Sequence, residues 1–379
     1  MEFKKVLLKI YPELNFGDDL FLKIILEKYS NTTFYLLCEK KKYQKIQLEY
    51  SNLILIDNSE YLTIYDRVLY RISNLISVNF IKRIAYNRLL NKQYNLSLNE
   101  YDIFLLVGGS MFMELDGSGQ RLLWYYQWIN NTFLNKPKFY LGCNFGPYKK
   151  ESFIDSFREI FKSAEQLSFR ENYSQDLFKN LSNTDVAPDI VFGLDFKQKE
   201  VEKKGVGLVL VDPRIKYNKT LDYEKYILKV VALVTALSEK EDDIIFFSFC
   251  KKEMDEELYE DIKIKLPENV HKNVKVVSYN GNIEEFLNEY SRLEYCFCSR
   301  FHGIILSLLF GHKLLPISYS AKIENMLFEI GYNGKVIKLD EFDSLSVREI
   351  QESTITFTVS DEIKELSKLH FKRLNKFLS

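Results

Sequence analysis

Short apolar runs of strand length recur along this chain, and their spacing constrains the fold more than any other feature. They fall at Val6–Ile10, Thr33–Cys38, Leu53–Ile56, Ile103–Val107 and Lys138–Leu141. Stretches with helical spacing, such as Asp19–Tyr29 and Ser152–Lys162, lie between several of them. A strand that is apolar on both faces must be covered on both, so this alternation predicts a parallel, doubly wound α/β sheet. The charged stretch Lys197–Lys204 reads as a solvated linker, after which the pattern restarts at Gly205–Val211, Asp243–Phe249, Val274–Ser278, Tyr295–Ser299 and Lys313–Ser318. Helix-like Tyr223–Ser238, Asp255–Lys265 and Ile283–Arg292 separate these runs. Two α/β lobes are therefore expected, residues 1–196 and 197–379, with a last helix from about Asp361 to Leu378 free to pack back on the first lobe.

Charge limits the partners. Lys and Arg total 52 against 53 Asp and Glu, which provides no global field for a polyanion and speaks against nucleic acid. The five cysteines are scattered without a Cys-x-x-Cys pair, and buried reduced thiols are expected, with no metal site. The apolar core of the N-terminus is too short for a signal peptide, and no window supplies the ~18 apolar residues of a spanning helix. A cytoplasmic protein is the expectation. One local bias stands out between Tyr61 and Asn95, where Arg67, Arg71, Lys82, Arg83, Arg88 and Lys92 face a single acid, Asp66. These charges suit a solvated helix face, or a peripheral contact with the inner face of an anionic membrane.

Polar segments follow several predicted strands, where an open α/β sheet binds its ligands. Asn15, Gly17, Asp18 and Asp19 follow the first; the acids either cap the next helix or meet a sugar hydroxyl, with Asp18 as a base. Gly108-Gly109-Ser110 ends another strand, with Glu114 and Asp116 just beyond, and Asn144 lies in Gly142-Cys143-Asn144-Phe145-Gly146-Pro147 after the next. Arg170 sits in a Ser-Phe-Arg-Glu loop, and Asp189 in a turn before an apolar strand. The richest segment is Ser299-Arg300-Phe301-His302-Gly303, where an apolar strand runs directly into an apolar helix. Ser299 is placed to cap that helix, Gly303 permits close approach, and Arg300 adds a planar fork for phosphate or carboxylate. His302 is the group that titrates nearest neutrality. Lys322 follows the next strand, as a further cation or a plain surface lysine.

Taken in order, these segments resemble the polysaccharide pyruvyl transferase family: Asn15-x-Gly17-Asp18, Gly108-Gly109, Gly146-Pro147, Ser168-x-Arg170-Glu171, Pro188-Asp189, Ser299-Arg300-x-His302-Gly303 and Tyr319-x-x-Lys322. The resemblance implies a GT-B-like fold of two Rossmann-like lobes with a ligand cleft between them. It also implies transfer of a pyruvyl group from phosphoenolpyruvate, as co-substrate without a cofactor, to hydroxyls of a sugar in a polysaccharide or its lipid-linked precursor, forming a ketal. Arg170, Arg300, His302, Ser299, Gly303 and Lys322 are then the donor side, with His302, Arg300 and Asp18 catalytic. Asn15, Asp18, Gly108, Gly109, Glu114 and Asn144 form the acceptor side. Two departures from the common pattern are Phe301, where Leu is frequent, and Ser110, where a third Gly is frequent. A nucleotide-sugar glycosyltransferase and a non-catalytic polysaccharide-assembly protein of the same architecture are the rival readings.

Overall fold

The computed structural model describes residues 4–57, 68, 79–93, 100–115, 119–197, 202–216, 221–240 and 243–378. Asp66, Arg67 and Arg71 of the basic stretch, Asp116, and linker residues 198–201 lie outside them. The chain forms two units.

The first unit comprises the chain up to Pro12, Phe21–Ile190, and the segment from Lys368 onward. Its strands are β1 (Lys5–Lys9), β2 (Thr33–Cys38), β3 (Leu53–Asp57), β4 (Ile103–Val107), β5 (Lys138–Cys143), β6 (Gln166–Phe169) and β7 (Thr184–Val186). They pair in parallel in the order β3-β2-β1-β4-β5-β6-β7. The order reverses beside β1, as in a doubly wound sheet. Central β4 is Ile-Phe-Leu-Leu-Val and is buried at every position, because it has no polar side chain to show to water. An aromatic cluster that includes Phe112, Tyr126, Tyr140, Phe157 and Phe161 packs against this sheet, with many ring pairs edge to face.

The second unit comprises Glu13–Leu20 and Val191–Ser367. Its strands are β8 (Val206–Val209), β9 (Ile244–Ser248), β10 (Val274–Ser278), β11 (Tyr295–Cys298), β12 (Lys313–Ser318), β13 (Ile337–Lys338) and β14 (Ile355–Thr356). The parallel order is β10-β9-β8-β11-β12-β13, and β14 joins β12 antiparallel. The helix after β11, Phe301–Phe310, is apolar around almost its whole circumference and is buried accordingly. Ile304, Ile305, Leu306 and Leu308 are each at most 2% exposed, and each contributes about 1.5–3 kcal/mol by leaving water. Gly311 ends the helix at φ 64°, and its N–H donates to Leu308 O at 3.3 Å.

Three local expectations change. The last helix is instead Asp361–Ser367, a 3-10 turn Lys368–Phe371, and Asn375–Leu378. His370 and Phe371 are buried at that break, so tertiary contacts override the helical pattern. Ser168 lies within β6 and Arg170 directly after it, so the expected loop is a strand end. Pro188-Asp189 follows a strand and leads into the 3-10 turn Ile190–Gly193 rather than into a strand. All five cysteines are buried and none is in a disulfide. Among the described residues no helix is long and apolar enough to cross a membrane.

Gly311→Ala tests the helix stop. A Cβ there would meet only Lys203 Nζ at 3.6 Å, so the cost is the left-handed backbone itself. A loss of about 1–2 kcal/mol in urea unfolding is expected.

Candidate active site

In the second unit, β11 delivers Ser299 and Arg300 to the start of helix Phe301–Phe310. Ser299 does not cap the helix as its position suggested: its Oγ accepts from the Val211 N–H at 2.7 Å, tying the ends of β11 and β8 together. Arg300 occupies the cap position with φ −80° and ψ 126°, and no side chain caps the helix. The first-turn N–H groups thus have no side-chain acceptor at the cap, the arrangement that attracts anions. The Arg300 guanidinium, only 6% exposed, is paired with Glu253 and Asp255, one carboxylate at each terminal nitrogen. Burial opposes its charge, but the two carboxylates outweigh that and hold the guanidinium above its ordinary range. Burial likewise pushes Asp255 up, against the pull of Arg300. Asp255 also accepts from the Phe249 and Cys250 N–H groups at 2.9 and 3.0 Å. Arg300 is therefore a fixed post whose terminal nitrogens are already engaged.

Asn15 and Asp18 were expected on the first lobe, yet residues 13–20 group with the second unit. The cause is Phe16. Its N–H donates to Phe249 O at 3.0 Å, and its ring packs on Phe249, Tyr279 and Phe286 with centroids 5.1, 5.2 and 4.2 Å away. Asn15, through Oδ1, accepts from the Gly17 N–H at 3.1 Å and starts helix Phe16–Lys28. Gly17 lies directly on His302: a Cβ there would fall 2.1 Å from the imidazole Nδ1. Asp19, fully buried, accepts from the Tyr279 hydroxyl at 2.8 Å and is pushed well above the carboxylate range, first by burial and then by Asp18. Lys322 Nζ lies 5.8 Å from the Phe301 ring and 5.3 Å from the Tyr319 ring. Gly303 lies against Cys298 Sγ and Val209, where a side chain would clash, so its role here is packing.

A separate cluster belongs to the first unit. Arg170 follows β6 and is 6% exposed; it donates to Asp189 at 2.9 Å and to Asn144 Oδ1 at 2.7 Å. Its guanidinium lies on Gly109, where a Cβ would come within 2.5 Å, and Ser110 donates to Asn144 at 3.2 Å. Gly108, with φ 153°, sets the turn before it. Glu114 lies farther along and accepts from the N–H groups of Lys149 and Lys150 at 2.6 and 3.0 Å. His370 holds the two strand ends behind Arg170. A carbonyl only accepts, so Nε2–H donates to Pro188 O at 2.9 Å, and Nδ1 accepts from Ser168 Oγ at 2.8 Å.

Among the described residues no group of three or more His, Cys, Asp or Glu could hold a metal ion. Sequence reasoning missed Glu253, Asp255, His370 and the pairing of Asp19. Their partners Tyr279, Arg300 and Ser168 lie 45 to 260 residues away, so no local spacing announces them.

Two doubly wound parallel units with polar groups at their strand ends define a GT-B-like fold. Solved structures of the same fold include UDP-GlcNAc 2-epimerase from Methanocaldococcus jannaschii, with TM-score 0.58, 11% identity and coverage of 99% of this chain and 100% of that one. Anabaena HepE in complex with UDP-glucose gives TM-score 0.52, 11% identity and coverage of 100% and 98%. Residues 15–321 match the polysaccharide pyruvyl transferase family, and the chain belongs to it. It is 22% identical over 277 residues to the amylovoran biosynthesis protein AmsJ of Erwinia amylovora, across 66% of this chain and 65% of that protein. The match thus spans just under two thirds of that relative's length.

Gly17→Ala is expected to displace the His302 ring. Turnover should fall about 100-fold while the melting temperature changes little, with the ring shift read from the histidine NMR signals. His370 allows a second check. Burial first, helped by Arg170, pulls its pKa down from 6.5 to about 4. The folded state therefore resists protonation, and this contribution to stability is complete above pH 6.5 and is lost as pH falls toward about 4. Wild-type unfolding free energy should decline across that window, and His370→Gln should remove that part of the slope.

Proposed function

We propose that this protein transfers a pyruvyl group from phosphoenolpyruvate to two hydroxyls of a sugar in a polysaccharide or its lipid-linked precursor. The observation that carries the reading is His302, held against Gly17 at the mouth of an uncapped helix, in a family whose match includes both residues. The helix N–H groups and Lys322 suit one anionic group of the donor. Arg170, in the first unit, is the second proposed donor cation, fixed by Asp189 and Asn144.

The chemistry balances as an addition followed by a substitution. A sugar hydroxyl adds to C2 of phosphoenolpyruvate, C3 takes a proton and becomes the methyl, and the hydroxyl proton is removed. Phosphate then leaves C2 as the second hydroxyl closes the ketal, and the departing phosphate carries away that hydroxyl's proton. His302 handles one of these protons, as acid or base, a role typically worth about 100 to 10,000-fold. Asp18 is the proposed partner; Asp19, whose carboxyl is pushed up by burial and bonded to Tyr279, supports the same turn. Arg300 acts through its ion pairs by fixing the helix start.

The lipid-linked form of the acceptor and peripheral membrane contact have local support. Helix Asn79–Gln93 carries Lys82, Arg83, Arg88 and Lys92 and exposes Phe80 and Ile84, at 70% and 53%.

Purified protein incubated with phosphoenolpyruvate and nitrophenyl sugars should release phosphate and add a pyruvate-sized mass to the sugar. His302→Ala should lower turnover at least about 100-fold without unfolding the protein. Arg170→Ala should raise the KM for phosphoenolpyruvate. Turnover of a nucleotide sugar, with none of phosphoenolpyruvate, would show a glycosyltransferase instead.

A further inference from the structure

The first unit contains a cavity that this reading does not use. Two loops leave the Arg170 cluster side by side. Asn144 N–H donates to Gly109 O at 2.9 Å, Gly146 N–H to Phe112 O at 2.8 Å, and Glu114 N–H to Pro147 O at 2.8 Å. At the near end of this ladder Asn144 holds Arg170. At the far end Glu114 and Lys150 border a cavity of about 510 Å³, within the usual range for small-molecule sites. Glu114 is five positions on from Gly109, so their backbones are at most about 18 Å apart. A short oligosaccharide bridges that length.

The lining has the mixed character of a sugar site. Gln120, Gln127 and Ser152 offer both donors and acceptors, and Leu123 and Phe153 form an apolar wall for the carbon face of a pyranose ring. At the rim Glu114 accepts from the backbone N–H groups of Lys149 and Lys150, so charges of both signs border the opening. Gln127 Oε1 is buried without a hydrogen-bond partner among the described residues. A buried amide oxygen left that way is a cost to folding, and a ligand hydroxyl would remove it.

We infer that this cavity binds a neutral hexose unit of the acceptor remote from the reacting sugar, so that the enzyme selects oligosaccharides over single sugars. The inference rests on the pyruvyl-transfer reading for its acceptor and adds a subsite to it. Nitrophenyl glycosides of glucose, galactose and mannose, each as mono- and trisaccharide, test it in the wild type and in Gln127→Leu. That substitution removes the lone oxygen, so the melting temperature should hold or rise. The KM for the preferred trisaccharide should rise about tenfold, while kcat, the KM for phosphoenolpyruvate and monosaccharide kinetics stay within about twofold. An unchanged trisaccharide KM, or an equal change for the monosaccharide, overturns the subsite. Sugar binding is also read without donor, from the Gln127 side-chain amide NMR signal. If a trisaccharide shifts that signal but the wild type transfers no pyruvate, the cavity stands and the pyruvyl reading falls. If pyruvate is transferred with no preference for length and the signal is still, the cavity assignment falls.

Discussion

The central strands of both sheets are parallel and buried on both faces, and that constraint governs where the chemistry sits. A strand such as Ile103–Val107, buried at every position, has no room for a charged side chain. Polar groups are displaced to the strand ends, where the backbone leaves the sheet and helices begin. Arg170 follows β6, Asn144 follows β5, and Ser299 with Arg300 follows β11. The apolar sheets thus hold the polar groups in place as well as provide the core.

At those ends the buried cations survive only because acids neutralise them. Arg300 has two carboxylates, and Arg170 has Asp189 with the Asn144 amide. A guanidinium left alone at such depth would cost several kcal/mol, so the acids are a condition of the fold and also set the orientation of each fork. For Arg300 both terminal nitrogens are occupied, so on the proposed reading a donor anion is met by the helix N–H groups and Lys322 instead. For Arg170 the neutral imidazole of His370 braces the two segments that supply the ion pair.

Phe16 has a comparable effect on His302. By packing into the aromatic group of Phe249, Tyr279 and Phe286, it brings Gly17 onto the imidazole and Asp18 and Asp19 into the same neighbourhood. Glycine is required there because no side chain fits between backbone and ring. The Asn15-x-Gly17 segment thereby gains a physical reason: asparagine starts the helix and glycine admits the histidine.

The sequence by itself determined the α/β class, the repetition of a doubly wound pattern, and most residues now found at strand ends, because apolar runs and glycine-rich turns are local signals. It also marked Arg170, Arg300 and His302 as candidates. Tertiary structure alone decided what those residues touch. The attachment of residues 13–20 to the second unit depends on a phenylalanine whose partners lie more than 200 residues away. The acids at Arg300, the tautomer of His370 and the break in the C-terminal helix depend equally on distant burial. Hydrophobic periodicity records which face of a segment is inside, but not which buried polar group will meet which other one there.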